Sequence, residues 1–576
     1  MPPARFRLRA DLRGSAVRGD GAIFAVDGLV VACCGYAVED GRPASAAGAL
    51  ARAYARHGEA LSAHLLGQYA AAIVDPIRGR VVLVQDSLGL RTAHYRLSGG
   101  VLTVASDLPS LVELTGAAEL DERYFAEYLA YGVRPFGRTP YAGIEKLSLG
   151  QTVVVDARGA RTVVPWTPSA EPAVLRVDEA AERLRRLLGD AVAAALPEEG
   201  RVLCELSGGL DSSTVIATAH RVRPDVEAVT LTSSSGRASD DIVYARDVVA
   251  RLGVPWHTLD QDPHPLFGAG RAEAEPGGEI RTAIRAAYYA LLAERGADVL
   301  LTGSGGDQAF GSVDVQPVHI ADDLLRGRLR GAWRAAGEWR AVTGSVRPEA
   351  FWIAVFGLRA ASRHVRGRSL VFWNAQRRPA WLRREFLARF ALPPVPPQIA
   401  HRVAAPSRQY LWEMVYRLAE NEARVVNLGP PCERRHPLFH RPFMDFMVSL
   451  PPALRRGAAG ERVLQRYALG DRLPPSVLSR VTKGSNQQLR EQTFLSSDWI
   501  ARLVDRPQAV ERGWLDAAEW RRAVQRARFG VVRQAVQFDA AMCTEMWLRA
   551  RAALPAPGPA AELPPLSASA ARSPAG

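Results

Sequence analysis

Lysine is almost missing from this chain: of 73 basic residues in 576, only Lys146 and Lys483 are lysines, and the rest are arginines among abundant Ala, Gly and Pro. A biased nucleotide composition produces that pattern, so most of the formal net charge of +13 is background. No Lys/Arg-rich run carries interleaved aromatics, and no nucleic-acid surface is expected. Cysteine is scarce as well. Cys33, Cys34, Cys204, Cys432 and Cys543 make an odd total with no C-x-x-C pair, which argues against a disulfide framework or a zinc site and fits a reducing compartment. Apolar residues never run on for the roughly 18 that a membrane span needs. The charged start MPPARFRLRADLRG leads into no signal-like apolar stretch, so a cytoplasmic protein is expected. What is present is an ordinary globular composition, 48% hydrophobic and 23% charged. A disordered or fibrous chain is excluded, and the length calls for at least two domains.

From residue 21 to about 165, β-like runs such as VVACCGYAV, AAAIVD, RVVLVQD, VLTVAS and QTVVVDARGARTVVPW alternate with turns. An Ala-rich helical stretch, ASAAGALARAYARHG, lies among them, and the pattern predicts an antiparallel or mixed sheet domain. TPSAEPA reads as a linker, and apolar positions 181, 184, 188, 191 and 195 predict an amphipathic helix from Val177. RVLCEL, AVTLT and DVLLTG then alternate with helical stretches from Asp211, from Asp241 and around 279–295. That rhythm predicts a doubly wound parallel sheet, whose ligands bind at the carboxyl ends of its strands. Residues 320–550 read as mainly helical, and the Pro/Ala/Ser tail beyond Leu554 as disordered.

The sharpest signal is ELSGGLDSSTV at 205–215, a strand-to-helix turn in which Ser207, Gly208 and Gly209 can present consecutive N–H groups to a phosphate. Asp211 sits where a carboxylate can hold Mg²⁺ against phosphate oxygens. A plain glycine turn with a helix cap is the alternative, and six matched positions in a strand-to-helix context weigh against it. No G-K-[ST] follows, so this is not a Walker A loop. A second turn, LTGSGGDQAFG at 301–311, again ends a predicted strand, where Asp307 can supply the opposite carboxylate. Asp240 and Asp241 before YARDVVARLG read at least as well as helix-capping residues. His436 and His440 have metal-like spacing, yet nothing nearby completes a site.

These motifs resemble the pyrophosphate-loop ATP enzymes, and more narrowly the asparagine synthetase B family. GQYAAAIVD, VLVQDSLGLRTAHY and LTVASDLPSLVEL are similar to its glutaminase domain, and CERRHPLFHRPFMDFMVSLPPALR with LPPSVLSRVTKGS to its late synthetase motifs. The resemblance implies a glutaminase-like (Ntn-type) α+β sandwich over 1–166, a linker over 167–176, an ATP-pyrophosphatase synthetase domain over 177–553 and a tail over 554–576. It places ATP against Leu206, Ser207, Gly208, Gly209, Asp211, Ser212, Leu231, Thr302 and Gly303, with Mg²⁺ on Asp211 and Asp307. In the R-x-x-K segment from Arg480, Lys483 aligns with the family's lysine at the adenylate and departing pyrophosphate. Keeping a lysine in a chain that has nearly abandoned them suggests that Arg does not serve there.

The family's glutaminase uses an N-terminal cysteine, whereas Met1 is followed here by Pro2 and Pro3, and the N-G-E segment is absent. Ammonia release from glutamine is therefore not expected. The amine must come from elsewhere, and two branches take it from the substrate itself: the β-lactam synthetases and the lasso-peptide cyclases. The first places a tyrosine where this chain has Ser304, and a glutamate near Glu338, which reads better as exposed. The second is resembled by GEWRAVTG, by SRQYLWEMVYRLAENEARV and by the P-x-W-[LI] segment Pro379–Leu382. The expectation is an ATP-dependent carbon–nitrogen ligase forming a macrolactam in a ribosomal precursor peptide, with a leader peptidase and a leader-binding protein as implied partners. Rivals are a β-lactam-type or ammonia-dependent amidating enzyme, a tRNA-modifying relative, and a silent scaffold, the last because Gln308 replaces the usual glutamate after Asp307.

Overall fold

Alternating side chains shape the N-terminal domain of the computed structural model, which describes residues 3–12, 16–169, 173, 175–233, 240–264, 273–277, 282–311, 317–371, 378–392, 405–457, 460–480, 504–554 and 561–566. Strands β1 (Phe6–Asp11), β2 (Val17–Gly21), β3 (Ile23–Val26), β4 (Leu29–Glu39) and β5 (Arg42–Ala44) precede helix α1 (Ala46–His57). Strands β6 (Leu66–Asp75), β7 (Arg80–Gln85), β8 (His94–Ser98), β9 (Val101–Ala105), β10 (Glu145–Lys146), β11 (Thr152–Asp156) and β12 (Gly159–Val163) follow. They form two antiparallel sheets, ordered β10-β8-β9-β1-β2 and β12-β11-β7-β6-β4-β3, with β5 beside β4. Phe6, Leu8, Ala32, Ala70, Leu83, Leu102 and Val153 fill the space between the sheets. One residue to either side, Val31, Ala71, Val82 and Val154 point the other way and pack under Leu50 and Tyr54 of α1.

The synthetase domain opens with α2 (Val177–Ala193), at the residue where the apolar spacing begins. Strands β13 (Val202–Glu205), β14 (Glu227–Thr232), β15 (Trp256–Asp260), β16 (Val299–Leu301) and β17 (Glu433–Arg435) form a parallel sheet ordered β15-β14-β13-β16-β17. Helices α3 (Leu210–Val222), α4 (Asp240–Leu252) and α5 (Thr282–Glu294) connect the first four strands. Because the central strands β13 and β16 are covered on both faces, Val202–Cys204 of β13 and Val299–Leu301 of β16 are continuously apolar rather than alternating. Cys204 and Leu301 face α2 and α3, while Leu203 and Leu300 face Tyr288 and Leu292 of α5. Later helices include α6 (Leu329–Thr343), α7 (Pro406–Ala423), α8 (Arg441–Ser449), α9 (Val463–Ala468), α10 (Ala517–Arg528) and α11 (Ala535–Ala552). No described helix is long and apolar enough to cross a membrane.

The domains share their cores. Leu88 and Leu90 join the synthetase cluster, and Phe125 stacks on Trp514 at 4.6 Å. Two sequence expectations change. The sheets begin at Phe6 rather than near residue 21, because inward Phe6, Leu8 and Ala10 alternate with outward Arg7 and Arg9. The tail is not wholly unstructured, since Gly19 N–H donates to the Pro564 carbonyl at 3.0 Å, Leu566 N–H donates to the Val17 carbonyl at 3.2 Å, and Leu563 is buried. Edge strand β2 offers unpaired backbone groups, and this short segment covers them.

Candidate active site

The chain's order reverses between β13 and β16, so the turns leaving these neighbouring strands splay apart and leave a crevice. Both expected motifs lie there. In the first turn Leu206 is buried and locked, its N–H donating to the Val229 carbonyl at 2.9 Å and its carbonyl accepting from Thr230 Oγ1 at 2.7 Å. Ser207 N–H donates to Ser212 Oγ at 3.1 Å and Gly209 N–H to Ser207 Oγ at 3.4 Å. Two of the three amides expected to meet a phosphate are thus held by the loop's own hydroxyls. Leu231 lies in β14 beside this turn, partly buried against the α5 face of the sheet.

The second turn approaches so closely that a side chain at Gly303 would put its Cβ 2.8 Å from Ser212 N, and one at Gly306 would overlap the Asp211 carboxylate. Those two glycines let Asp211 and Asp307 converge. Thr302 N–H donates to the Arg435 carbonyl at 3.1 Å, and its hydroxyl is 2.7 Å from His436 Nδ1. Gln308 Oε1 is buried with no hydrogen-bond partner.

Arg462, which the sequence did not single out, joins the two aspartates: its terminal nitrogens donate to Asp211 Oδ1 and Asp307 Oδ1. It stands just before α9 with a left-handed φ of 58°, a costly conformation for a side chain of this size. Gln465 supports the arrangement, donating to Asp211 at 3.2 Å and to Thr214 Oγ1 at 3.0 Å. Burial pushes the Asp211 carboxyl up, Arg462 pulls it down and Asp307 adds to the rise. The aspartate side chains remain 18% and 32% exposed. Two hard carboxylate oxygens sharing one cation fit Mg²⁺, which takes one or two carboxylates plus substrate phosphates.

Lys483 lies outside the described residues. Arg480 of the same motif is described, and its guanidinium donates to the Gly208 carbonyl at 3.2 Å and lies 4.3 Å over the Tyr244 ring. The side chains of Asp240 and Asp241 are also outside the described residues, although the two residues open α4. Glu338 is exposed on α6, as expected of a surface glutamate.

A polar cluster closes the far side of the second turn. Ser304 Oγ donates to Glu422 Oε1 at 2.7 Å, and Arg434 reaches Glu205 at 3.0 Å and Glu422 at 3.5 Å. Burial drives His436 down to about 3, so its ring is neutral near pH 7. Burial opposes ionisation of Glu422, but His436, Arg434 and the Ser304 hydroxyl hold its carboxyl below the usual range. With the imidazole neutral, Arg434 and Ser304 carry that effect. His436 and His440 build no metal centre, and among the described residues no group of three or more His, Cys, Asp or Glu gathers to hold a metal.

The Pro379–Leu382 segment lies at a separate cavity. Arg378, Pro379, Leu382, Leu387 and Leu392 line a cavity of about 700 Å³, and Trp381 is buried edge-on against Trp520 of α10. None of its walls comes from the two turns. In the N-terminal domain burial pushes the Cys33 thiol up to about 12 and the Cys34 thiol up to about 11, so neither is a poised nucleophile. Lys146, the chain's other lysine, is buried and ion-paired to Glu420 of α7.

The family profile described as Asparagine synthase matches residues 183–549, well over half of the chain, and one described as Glutamine amidotransferase domain matches 37–166. The chain belongs to the asparagine synthase family. It is 21% identical over 271 residues to asparagine synthetase (glutamine-hydrolyzing) 1 of Bacillus subtilis, covering 46% of this chain and 42% of that protein. Amidase chyE of Penicillium rubens is 24% identical over 286 residues, covering 45% and 42%. Carboxyethyl-arginine beta-lactam-synthase of Streptomyces clavuligerus is 26% identical over 254 residues, covering 42% and 47%. The chain thus spans less than half the length of these relatives.

Proposed function

We propose that this chain is an ATP-dependent ligase that closes a macrolactam in a peptide, as a lasso-peptide cyclase does. The observation that carries the reading is the convergence of Asp211 and Asp307 on one displaceable cation, beside a phosphate-type turn at the reversal point of a parallel sheet. ATP lies along Ser207–Ser212, and the substrate's Asp or Glu carboxylate attacks the α-phosphorus, breaking the α–β bond and releasing pyrophosphate. The peptide's α-amine then attacks the acyl carbon. The bond to AMP breaks, and the phosphate of the released AMP takes up the nitrogen's proton. Mg²⁺, held by Asp211 and Asp307, would neutralise phosphate charge. Lys483 stabilises the charge that develops at the adenylate, and holding the peptide prefolded supplies much of the rate through positioning.

The N-terminal domain serves as scaffold or docking element in this reading, since its described thiols are silent. A precursor peptide is the substrate, and a leader peptidase and a leader-binding protein are the proposed partners. Ser304 in place of a tyrosine argues against the β-lactam branch. The Ser304–Glu422 hydroxyl–carboxylate pair and the Streptomyces relative favour a small-molecule amidating enzyme as the second reading. ATP–pyrophosphate exchange with acidic peptides, set against exchange with free amino acids, separates the two. Exchange with no carboxylate of either kind would leave only a silent scaffold.

A further inference from the structure

One side chain of the N-terminal domain grips the synthetase domain's edge strand at two points. Gln68 of β6, 3% exposed, donates from Nε2 to the His436 carbonyl at 2.9 Å and accepts the His436 N–H on Oε1 at 3.3 Å. His436 directly follows β17, the last strand of the parallel sheet. Its fully buried ring holds the Thr302 hydroxyl at 2.7 Å, and that hydroxyl accepts the Ser304 N–H at 3.3 Å, fixing the second turn from within. The same turn meets Ser212 across Gly303 and Asp211 across Gly306. Neighbouring contacts hold β17 from the same side: Arg91 donates to the Arg434 carbonyl at 2.7 Å, and Arg435 stacks 4.2 Å over Tyr36.

We propose that Gln68 is a positioning residue for nucleotide binding, acting through His436 and Thr302 on the 302–307 turn. The domain without a poised thiol is then a part of the ATP site at one remove. A side chain that only glued the domains together would need no such paired amide geometry, which fixes a single register of β17 and so a single placement of Thr302. The inference rests on the proposed reading of 302–307 as nucleotide-binding.

The test is calorimetric titration of the full chain with Mg²⁺ and α,β-methylene-ATP. Gln68→Leu roughly keeps the volume, leaves the buried His436 N–H without its acceptor and leaves the His436 carbonyl with the Phe439 N–H alone. It is expected to weaken binding by roughly 5- to 30-fold. Gln68→Glu, which retains the acceptor but sets an oxygen against the His436 carbonyl, is expected to fall in the same range and serves if the leucine variant does not fold. Lys146→Met, which loosens the same interface through Glu420, is expected to lower Tm and leave affinity unchanged. The decisive arm is a double-mutant cycle: in a Thr302→Val background the Gln68→Leu effect should shrink to less than about 2-fold, although the two side chains do not touch. Equal losses of Tm in the Gln68 and Lys146 variants with wild-type affinity in both would overturn the inference alone. Failure of the unaltered chain to bind the analogue would overturn the nucleotide reading, and the inference with it.

Discussion

The two domains carry burial to opposite outcomes. In the N-terminal domain, Cys33 and Cys34 lose their acidity to desolvation, which the Arg91 charge offsets only in part at Cys34, and they cannot act at neutral pH. At the strand ends of the synthetase domain the same desolvation acts on Asp211, but Arg462 opposes it and both aspartates stay partly open to solvent. A buried ionisable group is usable when its partner can be exchanged for a substrate or metal. Only the second region has that property.

Removing either carboxylate should break the comparison most severely. Asp211→Asn and Asp307→Asn are each expected to lower AMP release with an acidic peptide at least about 100-fold while near-UV circular dichroism is unchanged. Lys483→Ala, measured as single-turnover adenylate formation, is expected to lose about 3–4 kcal/mol of transition-state stabilisation. Full activity in any of these variants contradicts the assigned site.

Arg462→Met sharpens the contrast, because it leaves two carboxylates facing each other without a cation. The apoprotein should lose about 2 kcal/mol, discounted from a fully buried pair because Asp307 is a third exposed. Added MgCl₂ should then raise Tm more in the variant than in the unaltered chain; an equal response would mean that the guanidinium does not compete for the metal position.

Acid should open the molecule at its buried histidines. Burial lowers His436 to about 3 and His94 to about 4, from an ordinary 6.5. Between about 6.5 and those values the unfolded chain binds protons that the folded chain does not, so stability is lost as pH falls through that window. Each such histidine contributes up to about 1.4 kcal/mol per pH unit. Urea melts from pH 7 to 4 should show this slope, and His94→Gln should flatten it. The smallest effect belongs to the thiols: Cys33→Ala and Cys34→Ala should change AMP release less than about 2-fold, and a large loss in either would undo the silent-domain reading.

Much of this architecture was legible because the physics was local. The 181–195 spacing marked α2, the apolar runs marked β13 and β16, and the two glycine turns marked the ends of neighbouring strands. Strand β17 was not legible, since Glu433, Arg434 and Arg435 carry no apolar pattern and are ordered by ion pairs and by the N-terminal domain. Arg462 was hidden by its own abundance: among so many arginines no sequence signal separates it, whereas the scarcity of lysine pointed to Lys483. Glu422 went unseen because the contact that gives it a role spans 118 residues. Segment 561–566 looked featureless because its order comes from the exposed edge of β2.

In the proposed reaction the chain adenylates a peptide carboxylate and passes it to the same peptide's amine. Mass spectrometry of the full-length protein incubated with ATP, Mg²⁺ and a leaderless precursor peptide tests it most directly. The prediction is AMP and a peptide lighter by one water, in equal amounts; AMP accompanied by an unchanged peptide would contradict ring closure and leave only an adenylating enzyme.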